Sequence, residues 1–307
     1  MLRQRVITAL ILVAILLPTL VVDAVWPFSL LSLVFISAAG WEWSRLNGAP
    51  GARAWLMAAA VAGGCVYAAQ VFGLPVWQAA ESLPAAALTH VHGVAHPLVG
   101  FFTPTWVWLT ALPIWVVGGA LALRYGPLYW GQWPDWPRRL LGLLILVAAW
   151  LALADIKAQG GNFMLSVFCL VWAADIGAYF GGRTFGRRKL APAISPGKSW
   201  EGVWSGMLAV LLLAVLWIAI DRHVGVDSPS LYSRLLLGVG PVGMVLALAF
   251  LAAMSVVGDL FESMIKRQAG AKDSSQLLPG HGGVLDRVDA LLPVLPLSLA
   301  LMALCHA

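Results

Sequence analysis

Charge is what this sequence has least of. Lys, Arg, Asp and Glu make up 11% of its 307 residues, less than half the roughly 25% of an ordinary soluble domain. With 61% hydrophobic residues and a mean hydropathy of +0.86, the shortage excludes a soluble globule and implies a polytopic membrane protein. Cysteine is scarce too, with three in the chain. Cys65, Cys169 and Cys305 each lie in an apolar run with no CxxC pairing, so they read as small buried hydrophobes and not as a disulfide or thiolate framework. A phosphate-binding P-loop is missing too. Ser195 to Ser199 (SPGKS) imitates its end, but Pro192 stands where the motif needs Gly. Neither polar cluster described below has a copy in the first half, which argues against the pseudo-repeated halves of a secondary transporter. The net charge of +5 does not point to nucleic acid, because the bases sit in short segments between apolar runs, as topology determinants do.

What is present is a series of apolar runs, and they predict an all-α fold with nine membrane spans. The expected spans are 6–26, 28–40, 54–77, 97–123, 140–154, 163–182, 202–220, 235–257 and 290–305. The first is too long for a signal peptide and is followed at once by another, so it reads as uncleaved. Pro293 and Pro296 interrupt the ninth. Between the spans, Asp23 marks a helix end, and Glu42, Arg45 and Arg53 mark a loop. Residues 78–96 form a polar link in which His90, His92 and His96 read as exposed, not as zinc ligands. Residues 124–139 form a loop whose Trp130, Trp133 and Trp136 suit a membrane interface. Asp155 and Lys157 end the fifth span. An N-in, C-out arrangement puts Arg3, Arg5, Arg45, Arg53, Arg124, Arg138, Arg139, Arg183, Arg187, Arg188, Lys189, Lys198, Lys266, Arg267, Lys272 and Arg287 on the inner side. That is 16 of the 19 bases, leaving Lys157, Arg222 and Arg234 outside. Residues 1–160 then form an N-terminal transmembrane region, and 161–307 a region that carries the chemistry.

Two polar clusters interrupt the apolar pattern on that inner side. The larger, Gly258 to Asp289, packs five of the fourteen acids and four of the nineteen bases into 32 residues. If its first part is helical, Asp259, Glu262, Ser263 and Lys266 share a face. The PGHGG turn (Pro279 to Gly283) lets backbone N–H groups approach a ligand, and Asp286, Arg287 and Asp289 follow. In the second cluster, Asp175 lies inside an apolar span, where a charge costs about 2.5–3.5 kcal/mol on insertion scales and is therefore paired or functional. Arg183 is its candidate partner. Arg187, Arg188 and Lys189 come next, then Ser195, Lys198, Ser199 and Glu201 around a Pro-Gly turn suited to phosphate. Oxygen-only ligands such as Asp259, Asp286 and Asp289 favour magnesium or manganese. Lys266, Arg267, Lys272 and Arg287 can neutralise a polyphosphate. The residues alone thus lead to metal-dependent phosphate chemistry on a lipid head group. They do not lead to the nucleotide base.

The spacing Ser263-x2-Lys266-Arg267-x4-Lys272-Asp273-x5-Pro279-Gly-His-Gly-Gly-x2-Asp286-Arg287-x-Asp289 resembles the signature of the phosphatidate cytidylyltransferases, also called CDP-diacylglycerol synthases. Asp175-x2-Ala178-Tyr179-x2-Gly182 and Ser195-Pro-x-Lys198-x2-Glu201-Gly202 are similar to that family as well, with Gly197 standing where many members have Lys. The likeness runs from about Asp175 to Leu292. It implies that CTP and phosphatidate give CDP-diacylglycerol and pyrophosphate, with Mg2+ as cofactor, at the inner face of a bacterial cytoplasmic membrane. It further implies Asp259 and Asp286 as metal ligands, with Asp289 and Asp273 as additional candidates. Lys266, Lys272, Arg267 and Arg287 would attend the phosphates, and Ser195, Lys198, Glu201, Ser263, Asp175 and the His281-Gly282-Gly283 turn would contact substrate. The expected partners are CTP, phosphatidate and bilayer lipid, with a homodimer as the default assembly. A CTP-dependent lipid-alcohol kinase or a transporter are the competing readings. The spaced DG…AR…G…D…D pattern of the CDP-alcohol phosphotransferases is missing.

Overall fold

A computed structural model describes residues 2–22, 24–74, 76, 85–91, 94–99 and 102–305. Asp23 and His92 fall outside them, so the readings that rest on those two residues do too. The chain is helical almost throughout. In order come α1 (Leu2–Val21), α2 (Val25–Leu46), α3 (Ala52–Phe72), the strands β1 (Ala85–Val91) and β2 (Val94–Val99), and α4 (Thr105–Pro113). A π turn at Ile114–Gly118 joins α4 to α5 (Gly119–Gln132). Then follow α6 (Asp135–Ala158), α7 (Gly161–Phe185), β3 (Lys189–Ala191), β4 (Ser195–Ser199), α8 (Trp200–His223), α9 (Leu231–Gln268), α10 (Leu285–Val288) and α11 (Leu291–Cys305).

Among the described residues, eight helical stretches are long and apolar enough to cross a membrane, and the apolar part of α1 is the shorter Leu10–Val21. This is an integral membrane architecture of apolar helices.

Several expected loops are not loops. Residues 124–139 are mostly helix. The chain bends within α5 at Gly126 (φ 74) ahead of Pro127, and Pro134 stands as the N-cap of α6, so the prolines sit where a helix tolerates them. Asp155 and Lys157 lie inside α6 and are buried. Asp155 accepts hydrogen bonds from Phe102 N and Thr103 N, both at 3.1 Å, and Lys157 Nζ donates to the carbonyls of Leu20 (2.8 Å) and Val22 (3.0 Å). Glu42 belongs to α2 and is fully buried. The link 78–96 holds β1, which pairs antiparallel with β2.

The helix ends sort into two groups. At one end gather Asp155, Lys157, Gln159, Asp221 and Arg234 with the turns they cap. At the other lie the C-terminal ends of α2, α7 and α9 and the β3–β4 hairpin. Tryptophans lock the N-terminal helices. Trp150 Nε1 donates to Ser29 O (3.0 Å), Trp43 Nε1 to Arg138 O (2.9 Å) and Trp130 Nε1 to Asn47 Oδ1 (3.0 Å), so these three buried indoles have their partners. The last described helix, α11, is an inner one, buried from Leu292 to Ala300 and packed on α4, α6, α7 and α9.

A seam of small residues brings α7 and α8 together. A Cβ on Gly206 would lie 2.6 Å from the Ala174 carbonyl oxygen, and one on Gly181 would lie 1.9 Å from Ser205 Oγ. The backbones therefore touch, as small residues permit inside membranes. Gly206→Val forces the helices apart. The expected cost is about 1–3 kcal/mol, read as earlier thermal unfolding in detergent together with lost activity.

Candidate active site

Because α7 and α8 are pressed together, the end of α7 meets the hairpin that feeds α8. In that hairpin Lys189 pairs with Ser199 and Ala191 with Ser195. The expected Pro-Gly turn is thus part of a strand, and the turn itself falls at residues 192–194. Ser199 caps α8, its Oγ accepting from Gly202 N at 3.2 Å. Lys198 reaches α9, and its Nζ lies 2.6 Å from Asp259 Oδ2. This ion pair joins the two polar clusters across 61 residues of sequence. Around it lies a cavity of about 480 Å3 whose wall includes Asp175, Tyr179, Arg183, Ser195, Lys198 and Asp259. A larger cavity of about 600 Å3, between α4, α5, α6 and Phe261, has no acid, Lys or Arg in its wall and offers nothing to a phosphate. Arg183 meets the Tyr179 hydroxyl at 3.4 Å instead of the expected Asp175.

The face predicted on α9 exists, and it is wired to the loop that follows. Asp259 Oδ1 accepts from Ser263 Oγ at 3.2 Å. Lys266 Nζ pairs with Glu262 one turn earlier and with Asp286 Oδ1 at 2.6 Å. The other oxygen of Asp286 accepts from Ser274 N (2.9 Å), Ser274 Oγ (2.9 Å) and Gly283 N (2.8 Å). Asp286 is therefore the knot of the loop, with four donors on one carboxylate. Gly283 has to be glycine here, because a Cβ would lie 2.0 Å from Ser274 Oγ and 2.3 Å from Glu42 Oε1. Asp289 Oδ1 accepts from Ala290 N at 2.8 Å and feels the charge of Asp259, as Asp175 does.

Other candidates hold the backbone together. Glu201 accepts from Arg187 N (3.0 Å) and Arg188 N (3.1 Å), clasping the turn after α7. Arg267 Nε donates to Ile194 O at 3.2 Å, tying α9 to the hairpin. Arg287 donates to the His281 carbonyl through Nε (3.0 Å) and Nη2 (2.5 Å). Gly282 takes a positive φ of 84° in that turn. The His281 Nδ1 is buried without a hydrogen-bond partner among the described residues. Lys272 and Asp273 are exposed on the loop after α9. The residue missed by sequence reasoning is Glu42, whose carboxylate accepts from Val284 N, Leu285 N, Ser274 Oγ and Ser275 Oγ. Its only sequence signal is an acid inside an apolar helix.

Among the described residues no three His, Cys, Asp or Glu side chains form a ready metal site. Magnesium, however, is commonly held by one or two carboxylates together with substrate phosphates. Asp175 and Asp259, two hard oxygen donors on one cavity wall, fit that pattern.

The profile of the cytidylyltransferase family matches residues 3–305. The chain belongs to this family. Its relatives include a phosphatidate cytidylyltransferase of Pseudomonas aeruginosa, 40% identical over 306 residues, which covers 98% of this chain and 97% of that one. One from Haemophilus influenzae is 51% identical over 138 residues, 45% of this chain and 44% of the relative. One from Brucella melitensis is 38% identical over 201 residues, 61% of this chain and 68% of the relative. Family membership makes the chain a nucleotidyltransferase and fits the bridging of the two polar clusters by Lys198 and Asp259.

Proposed function

We propose that the enzyme transfers a cytidylyl group from CTP to phosphatidate, giving CDP-diacylglycerol and pyrophosphate. The observation that carries this is the Lys198–Asp259 pair at 2.6 Å, which gathers acids, bases and hydroxyls from two distant motifs into one cavity among apolar helices. A lipid phosphate entering from the bilayer and a nucleotide entering from water can meet there. A phosphatidate oxygen attacks the α-phosphorus of CTP, the new P–O bond forms, and the bond to the β-phosphate breaks to release pyrophosphate. The attacking group is already an anion, so no general base is required. His281 serves the loop or a phosphate hydrogen bond.

The chain's own groups supply positioning and charge. Lys198, Arg183 and Ser195 line the cavity and orient the phosphates. Lys266, held between Glu262 and Asp286, adds positive charge from α9, and Lys272 and Arg287 guard the aqueous side. Asp259, Asp175 and Asp289 would hold Mg2+, which when bound offsets charge on the phosphate oxygens. Asp286 would have to release donors to join them, and Asp273 is available for a second cation.

We place this site on the cytoplasmic face of a bacterial inner membrane. With α1 as a ninth crossing, the N-terminus lies inside, the C-terminus outside, and 16 of the 19 bases on the cytoplasmic side. Thr8 Oγ1 donating to Pro279 O at 3.0 Å supports the N-terminus lying at the site's end.

The test is to incubate the purified enzyme with labelled CTP and phosphatidate in detergent micelles, with and without Mg2+. Labelled CDP-diacylglycerol and pyrophosphate formed only with the cation are expected. A phosphorylated lipid alcohol formed from an added polyprenol, with phosphatidate untouched, would replace this reading by a kinase.

A further inference from the structure

The reaction proposed above gives no task to one buried acid. Glu42 lies in α2 with none of its surface exposed, and its ligands all come from the loop at the other end of the chain. Oε1 accepts from Val284 N (2.9 Å) and Ser275 Oγ (2.5 Å). Oε2 accepts from Leu285 N (2.6 Å) and Ser274 Oγ (3.1 Å). The helix carrying it is well anchored, because the neighbouring Trp43 is fully buried and bonded to α6. A second bond, from Thr8 of α1 to Pro279, grips the same loop.

We infer that Glu42 is a positioning residue, which sets the loop 273–289 so that Asp286 can hold Lys266 beside the reacting phosphates. This rests on the proposed function. The link is Ser274. Its hydroxyl has one proton and stands between two carboxylates, 3.1 Å from Glu42 Oε2 and 2.9 Å from Asp286 Oδ2, so the two share it. A change in the Glu42 carboxylate is therefore felt at Asp286, and through the 2.6 Å contact at Lys266. Gly283, which has no room for a Cβ between Glu42 and Ser274, closes the same knot. The N-terminal helices thus complete the site instead of only anchoring it.

The experiment compares wild type, Glu42→Gln, Ser274→Ala and the double variant in the CTP–phosphatidate assay, each normalised to folded protein by thermal unfolding in detergent. Glu42→Gln keeps the shape but presents an amide to donors. It should lower kcat by roughly 10- to 100-fold, as loss of an outer-shell partner does, and leave the KM for CTP within about threefold. Adding it to Ser274→Ala should cost much less than it does alone, because the two act through one contact. Wild-type kcat per folded molecule in Glu42→Gln, or full additivity of the two changes, overturns the inference. If Glu42→Gln does not fold, Ser274→Ala and Ser275→Ala decide from the loop side. Reduced kcat in folded protein supports the role, and unchanged kcat in both removes it. Wild type inactive on phosphatidate would instead defeat the proposed function, so the two failures can be told apart.

Discussion

Asp259→Asn is expected to abolish nearly all turnover and leave the fold alone. Asp259 is open to the cavity, with its side chain 34% exposed and that of Lys198 25% exposed. An ion pair this wet contributes about 0–1 kcal/mol to stability, and the bond to Ser263 is a marginal 3.2 Å contact within one helix. Nothing structural hangs on the carboxylate. Much of the chemistry does, because it faces Lys198 and stands in electrostatic reach of Asp175 and Asp289. Removing one preorganised charge from such a site costs on the order of 10²–10³ in rate. The measurement pairs kcat with a detergent unfolding curve. An unchanged curve with a hundredfold lower kcat is the expected pattern, and full activity would take Asp259 out of the site.

Asp286→Asn is expected to fail in a different way, losing activity and stability together. An amide at this position cannot accept four donors. One of its atoms becomes a donor, facing either Lys266 or the Ser274 and Gly283 N–H groups. The side chain of Asp286 is only 8% exposed and that of Lys266 13%. Breaking a buried pair from one side typically costs about 3–5 kcal/mol. The loop then loosens around Lys266, which keeps Glu262 as its remaining partner. Lower unfolding temperature and lost product are both expected. A variant as stable as wild type would show that Asp286 does not tie the loop.

The contrast between these two carboxylates was only half legible in the sequence. Both stand out because charge is so rare around them, and the same scarcity marks Asp175, Lys198 and Lys266. Their partners could not be read. Which oxygen Lys198 meets depends on how closely α7 and α8 approach, and that is set by Gly206 and Gly181, residues with no chemistry of their own. The helices were legible as apolar runs, but their ends were not. Residues 124–139 look like a loop because Trp, Pro and Arg concentrate there, yet Gly126 absorbs the break and the helices continue on both sides. The α9 helix runs on to Gln268, past the apolar boundary at 257, because Lys266 pairs with the buried Glu262 one turn earlier and the two offset each other's charge. Glu42 was hidden for another reason. It stands three residues before Arg45, which suggests a solvated turn, but Arg45 lies over the Trp41 ring instead and the acid is left for the distant loop.

The position of α11 carries a consequence for how the molecule is made. It follows α4, α6, α7 and α9 in the chain, so those helices are synthesised before the buried helix that they pack against. Deleting Leu291–Cys305 therefore takes away a shared packing partner of four helices.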